Sequence, residues 1–99
     1  MNEPLKLTPF DAAHYLKDDE EAQIELLSDA LSSGHAPYIT HALKVIARAQ
    51  GMSQLARETG LNRSALYDAM GADGNPTLDT LLKLLSAMKL KISGVEKAA

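Results

Sequence analysis

Apolar residues recur at helical spacing through most of this chain, and capping residues punctuate them. Thr8-Pro9-Phe10-Asp11 reads as a helix start. Thr8 supplies a cap, Pro9 suits the first helical position, Asp11 reaches back to the cap, and a short helix is predicted to about Leu16. Asp18 or Asp19 can cap the next helix, whose acids favour the positive end of its dipole. Ile24, Leu27 and Leu31 form its apolar stripe with Ala30 beside them, and Gly34 ends it. Pro37 opens a third helix with Ile39, Ala42, Leu43, Ile46 and Ala49 on one face and Gly51 at its end. Two short helices follow, over 53–59 and 62–70, broken at Gly60. A loop over 71–76 precedes Thr77, the cap of a last helix reaching Met88, with Leu78, Leu81, Leu82, Leu85 and Met88 as its apolar face. From Lys89 to Val95 the pattern alternates partially, at Leu90 and Ile92, and fits either a short strand or a tail. The expected fold is all-α, with five to six short helices in one domain over 1–99. It comprises acidic N-terminal helices over 8–34, a helix-turn-helix core over 36–88 and a C-terminal tail over 89–99.

The segment over 51–70 carries the functional signal. Two short helices joined by a tight glycine-containing turn are what a helix-turn-helix needs. Leu55 and Ala56 face the second helix, and the small Ala56 lets the backbones cross closely. Gly60 takes the positive φ the turn demands, Leu61 buries the turn, and Asn62 caps the second helix. That helix divides in two: Ala65, Leu66, Ala69 and Met70 on one face, Arg63, Ser64, Tyr67 and Asp68 on the other. The polar face is free to enter a major groove. Arg63, near the helix N-terminus, can bond guanine O6 and N7 in bidentate fashion. Ser64 is a smaller base or phosphate contact, and Tyr67 suits a phosphate or a thymine methyl. Asp68 would repel phosphate, so a cytosine amino group, a neighbouring Arg or water must face it. Ser53 and Gln54, at the start of the first motif helix, and Asn75 and Thr77, at the start of the last helix, are placed to hold phosphates, with Arg57 adding a charge contact.

Charge adds a division that the pattern does not show. The net charge is -3, but residues 1–40 hold two lysines against eight acids, which is -6, and residues 41–99 hold eight Lys and Arg against five acids, which is +3. The two halves are expected to meet different partners. The N-terminal acids Asp18, Asp19, Glu20, Glu21 and Glu25 point away from DNA on this reading and suit a basic protein; the alternative is that they only cap and solubilise a helix.

Other chemistry finds little support. There are no cysteines, and His14, His35 and His41 lack the i, i+4 spacing of a helical metal site, so neither a metal nor another cofactor is expected. No serine sits in a nucleophile motif, and the loop at Gly71 to Gly74 lacks the lysine of a phosphate loop, so an enzyme is not expected. Met52, Met70 and Met88 read as core fillers. No apolar run approaches the roughly 20 residues that span a bilayer. No signal peptide is legible at the N-terminus, so the cytoplasm is the expected compartment.

The residues also resemble a known family. Phe10 to Leu16, Ala42-Leu43, Ile46 to Ala49, Gly51 to Arg57, Thr59-Gly60-Leu61, Leu66-Tyr67 and Gly74 to Thr77 together resemble the HigA-like addiction-module antidote proteins, small antitoxins with a lambda-repressor-like (XRE-type) helix-turn-helix. The resemblance covers roughly residues 8–92. The chain departs from the family's habits at His14, where an acid is common, and at Lys89, where glycine is common. The resemblance implies an antitoxin of a type II toxin-antitoxin module. Such a protein neutralises a toxin of the RelE/ParE superfamily by direct binding, and represses its own operon through sequence-specific binding to double-stranded DNA. The alternatives are a stand-alone XRE-type transcriptional regulator and a helical module that binds no DNA. One recognition helix reads few base pairs, so a homodimer on an inverted repeat is expected. The last helix or the Lys89–Val95 segment is its expected interface, because Leu90 and Ile92 show no core partner in the sequence pattern.

Overall fold

A computed structural model describes residues 16–71 and 73–99. The helix expected from Thr8, with His14, lies outside the described residues. Among them are five α-helices and no strand, the all-α architecture that the spacing predicts. Asp19 rather than Asp18 caps α1 (Glu20–Ser33): its Oδ1 accepts the Ala22 N–H at 3.0 Å. Gly34, at φ 66°, ends the helix in the left-handed region where a side chain would be strained. In α2 (Ala36–Gln50), Pro37 sits in the first turn, where its missing N–H has no partner to lose. Gly51, at φ 113°, joins α2 to α3 (Met52–Thr59). Then come α4 (Arg63–Ala69) and α5 (Leu78–Ala87).

The core lies around α2. Thr40, Ala42, Leu43, Val45, Ile46 and Ala47 are all buried, a wider arc than the single stripe expected. The reason is topological: α1 packs on one side of α2 and α3 on another, so two adjacent faces are covered at once. Of the buried α2 residues, Ala42, Leu43, Ile46 and Ala47 join Leu27, Ala30, Met52, Leu55, Leu66, Met70, Leu84, Leu85 and Met88 in one core cluster.

In α1, Leu27 and Ala30 are buried, but Ile24 is half exposed and the polar Gln23 takes an inward place. Gln23 is satisfied there. Its Nε2 donates to the Leu16 carbonyl at 2.9 Å, and its Oε1 accepts from Gln50 Nε2 at 2.8 Å. Gln50 Nε2 also donates to the Met88 carbonyl at 3.0 Å, so one network ties α1, α2 and the end of α5 together. Tyr38 adds a second tie between α1 and α2, its hydroxyl donating to Asp29 at 2.6 Å. That bond holds the phenol proton, and with some burial and the carboxylate's charge it raises the tyrosine above its ordinary pKa.

Two sequence expectations about the C-terminal end need correction. The inward face of α5 is Leu81, Leu84, Leu85 and Met88; Leu78 and Leu82 are 70% and 53% exposed. Leu78 shares its helical angle with Leu85, but it begins the helix and lies beyond the end of the core, while Leu82 is turned to the edge. Leu90, expected to lack a core partner, has one. It closes a Schellman turn: its N–H donates to the Leu85 carbonyl at 2.9 Å, the Lys89 N–H donates to Ser86 at 3.0 Å, and the Leu90 side chain packs onto the core. No strand forms beyond it, and residues 91–99 are exposed and irregular.

This turn explains what the departure at Lys89 means. Lys89 stands at φ 64°, in the left-handed region that a Cβ disfavours. Lys89→Gly should therefore stabilise the fold by about 1 kcal/mol, raising the melting temperature by about 4–8 °C. An unchanged melting curve would mean that the lysine bears no strain in this turn.

Candidate nucleic-acid interface

The turn between α3 and α4 is locked by side chains on both sides. Gly60, at φ 77°, donates its N–H to the Ala56 carbonyl at 3.1 Å. Thr59 Oγ1 donates to the Leu55 carbonyl at 2.7 Å and accepts the Leu61 N–H at 3.2 Å, which fixes the chain as it leaves α3. Asn62 Oδ1 accepts the Ala65 N–H at 2.7 Å and starts α4. Leu55 and Leu66 are buried against each other's helices, and Ala56 is half-buried at the crossing.

Burial along α4 follows the division that the sequence predicts. Leu66 and Met70 are buried and Ala65 and Ala69 half-buried, while Arg63, Ser64, Tyr67 and Asp68 are exposed. Arg63 is the first residue of the helix, so its side chain leaves from the end with unpaired N–H groups and positive dipole. Tyr67 follows one turn later. Lys44 of α2 places its Nζ 5.9 Å from the centre of the Tyr67 ring, a cation over an aromatic face. The linear pattern misses Lys44, because only the packing of α2 brings it beside α4.

The flanking residues sort less evenly. Ser53, Gln54 and Arg57 are exposed on α3, whose first turn has no side-chain cap. Gln54 is held along its own helix, its Nε2 donating to Glu58 at 3.1 Å. Asn75 is exposed before α5. The Thr77 hydroxyl is already used as a cap: it accepts the Thr80 N–H and donates to Thr80 Oγ1, both at 3.1 Å. Because α3 packs against both α4 and α5, these groups share one structural unit. Gly74 ties that unit together. It lies directly against the carbonyls that end α4, where a methyl group would meet the Asp68 carbonyl oxygen at 2.9 Å and the Ala69 carbonyl carbon at 2.8 Å.

Among the described residues, no group of three or more His, Cys, Asp or Glu is gathered as for a metal ion. No described helix is long and apolar enough to cross a membrane.

Over residues 6–96 the chain matches the family described as probable addiction module antidote proteins. It belongs to that family. An uncharacterized protein of Haemophilus influenzae is 42% identical over 91 residues, which cover 92% of this chain and 91% of that protein. No solved structure matches. An addiction-module antidote acts against a toxin, so membership of this family implies a toxin partner. The chain's exposed acids Asp18, Glu20, Glu21 and Glu25 stand at the start of α1, beside the cap Asp19, and α1 packs against α2 rather than forming part of the helix-turn-helix.

Proposed function

We propose that this antidote neutralises a toxin of the RelE/ParE superfamily by direct binding and represses its own operon as a homodimer, with α4 as an XRE-type recognition helix in the major groove. The observation that carries the DNA reading is the two-sided α4. Its Leu66 and Met70 are buried while Arg63, Ser64, Tyr67 and Asp68 are all presented to solvent from a helix fixed by the Asn62 cap. Ser53, Gln54, Arg57 and Asn75 hold the phosphate backbone, with Lys44 beside Tyr67 as a further cation. Asn62 and Thr77 act chiefly by shaping the two helix starts. The antidote's toxin meets the acidic surface of α1, at Asp18, Asp19, Glu20, Glu21 and Glu25. The dimer contact falls on the outer face of α5, where Leu78 and Leu82 are exposed one turn apart. Leu90 belongs to the core and Ile92 lines a cleft against α1.

The test is a mobility shift on the DNA upstream of the antidote's own gene, repeated across a salt series. Binding should be specific for that DNA and should weaken steeply with salt, with a log–log slope of about -0.9 for each phosphate neutralised. Light scattering should find a dimer at micromolar concentration. Specific binding that fails to appear at low salt would overturn the repressor reading and leave the antidote as a toxin-binding protein alone.

A further inference from the structure

α4 brings no net charge to the groove it is proposed to enter. Its seven residues hold one cation, Arg63, and one carboxylate, Asp68, both exposed. Phosphates beside its second turn must be met by charge from another element. α2 has that charge: it holds Lys44 and Arg48 and no acid. Lys44 stands between the buried Leu43 and Val45 and is itself half-buried, so its stem is rooted on the core while the ammonium reaches outward. Its Nζ lies 5.9 Å from the centre of the Tyr67 ring on α4. Among the described residues Lys44 makes no hydrogen bond or ion pair, and the Tyr67 hydroxyl makes no hydrogen bond. Two donors from different helices therefore stand side by side without a protein acceptor.

We propose that Lys44 and Tyr67 form a clamp on a single DNA phosphate, so that Tyr67 holds α4 in register instead of reading a base. The inference rests on the DNA reading above; it adds α2 to the interface and decides between the two roles open to Tyr67. The phosphate oxygens accept from the Lys44 ammonium and from the Tyr67 hydroxyl. A compact charge with three donors suits an anion. A thymine methyl suits this place less well, because a strongly hydrated ammonium is held against the ring on which the methyl would pack. Lys44 also offsets Asp68, which follows Tyr67 directly and would otherwise repel a phosphate there. The position along α4 gives the clamp its use. Tyr67 follows Arg63 by four residues, about 6 Å along the axis. The clamp thus fixes the second turn of α4 while Arg63 is presented from its first residue, and the two points together set the tilt of the helix on the duplex.

The experiment titrates Lys44→Met, Tyr67→Phe and the double variant, by fluorescence anisotropy across a salt series, against DNA from upstream of the antidote's own gene and random duplex of the same length. Lys44→Met keeps the stem and removes the charge; Tyr67→Phe keeps the ring and removes the hydroxyl. Each should weaken binding to both duplexes alike, by about five- to tenfold. The log–log salt slope should shrink by about 0.9 in Lys44→Met and stay unchanged in Tyr67→Phe. Because both donors serve one phosphate, the double variant should bind only about twofold more weakly than Lys44→Met. Lys44→Arg should keep the wild-type slope. Melting temperatures verify the fold, and Lys44→Gln replaces Lys44→Met if the latter does not fold. An unchanged salt slope without the Lys44 charge would overturn the proposal. So would wild-type affinity in Tyr67→Phe, a Tyr67→Phe loss confined to the upstream DNA, which would make Tyr67 a base reader, or fully additive losses in the double variant, which would put the two donors on separate groups. If wild type binds neither duplex at low salt, the DNA reading fails and the clamp with it. If wild type binds and the variants match it, only the clamp is refuted.

Discussion

Gly74→Ala is expected to destabilise the fold by about 3 kcal/mol, the upper end of what one methylene inserted into a packed site costs. For a chain of this size the melting temperature falls by about 4–8 °C for each kcal/mol. The obstacle is backbone rather than side chain. The added methyl would press on the carbonyl oxygen of Asp68 and the whole carbonyl group of Ala69, at the end of α4. These carbonyls cannot swing away as a flexible side chain could, because the Met70 N–H bond to Leu66 and the buried Met70 side chain hold the last turn in place. The loop from 71 to 77 must therefore move, and α5 with it. Gly71→Ala is the comparison: its methyl would meet the Tyr67 carbonyl oxygen at 3.2 Å and Asp68 at 3.7 Å, a contact that a small shift relieves. Thermal unfolding of both variants should place Gly74→Ala well below Gly71→Ala. Equal melting temperatures would mean that the loop yields at no cost and that Gly74 does not fix α5 against α4.

The parts of the fold legible in the sequence are those that local chemistry decides. The Asn62 and Thr77 caps, the left-handed Gly34 and Gly60 and the two faces of α4 each depend on residues within one turn of one another, and each is found where the pattern places it. What the pattern could not supply depends on which neighbour covers a face. Spacing assigns Leu78 and Leu82 to the core stripe of α5, but both stay largely exposed among the described residues. Gln23 would be written as a surface residue, but Gln50 and the Leu16 carbonyl satisfy it inside. Leu90 gained its core contact only through the turn at Lys89, which reverses the chain onto Leu85. In the candidate site the same rule holds: Arg63 and Tyr67 were visible from helical phase, and Lys44 was not, because it comes from another helix.

Arg63→Ala should cost about 1–3 kcal/mol of operator affinity, roughly a five- to 150-fold weakening, and should relax the sequence preference at one base position. The variant should fold, because Arg63 is exposed and the cap that starts α4 is made by Asn62 to Ala65. Circular dichroism and melting temperature would verify this. The size of the effect follows from placement. A guanidinium at the first residue of a helix entering the groove end-on can present two parallel N–H donors to guanine O6 and N7. The Asn62 cap and buried Leu66 hold the backbone that aims it. Arg63→Lys separates the two roles of the side chain. It keeps the charge and loses the planar fork, so affinity for random DNA and the salt dependence should be preserved while the preference at the contacted base is lost. Anisotropy titrations with the operator, a single-base variant of it and random DNA at one salt concentration would distinguish the cases. If Arg63→Ala weakens binding to all three equally, Arg63 is a phosphate contact and base reading passes to Ser64, Tyr67 or Asp68. If it weakens none, α4 does not enter the groove through its N-terminal end.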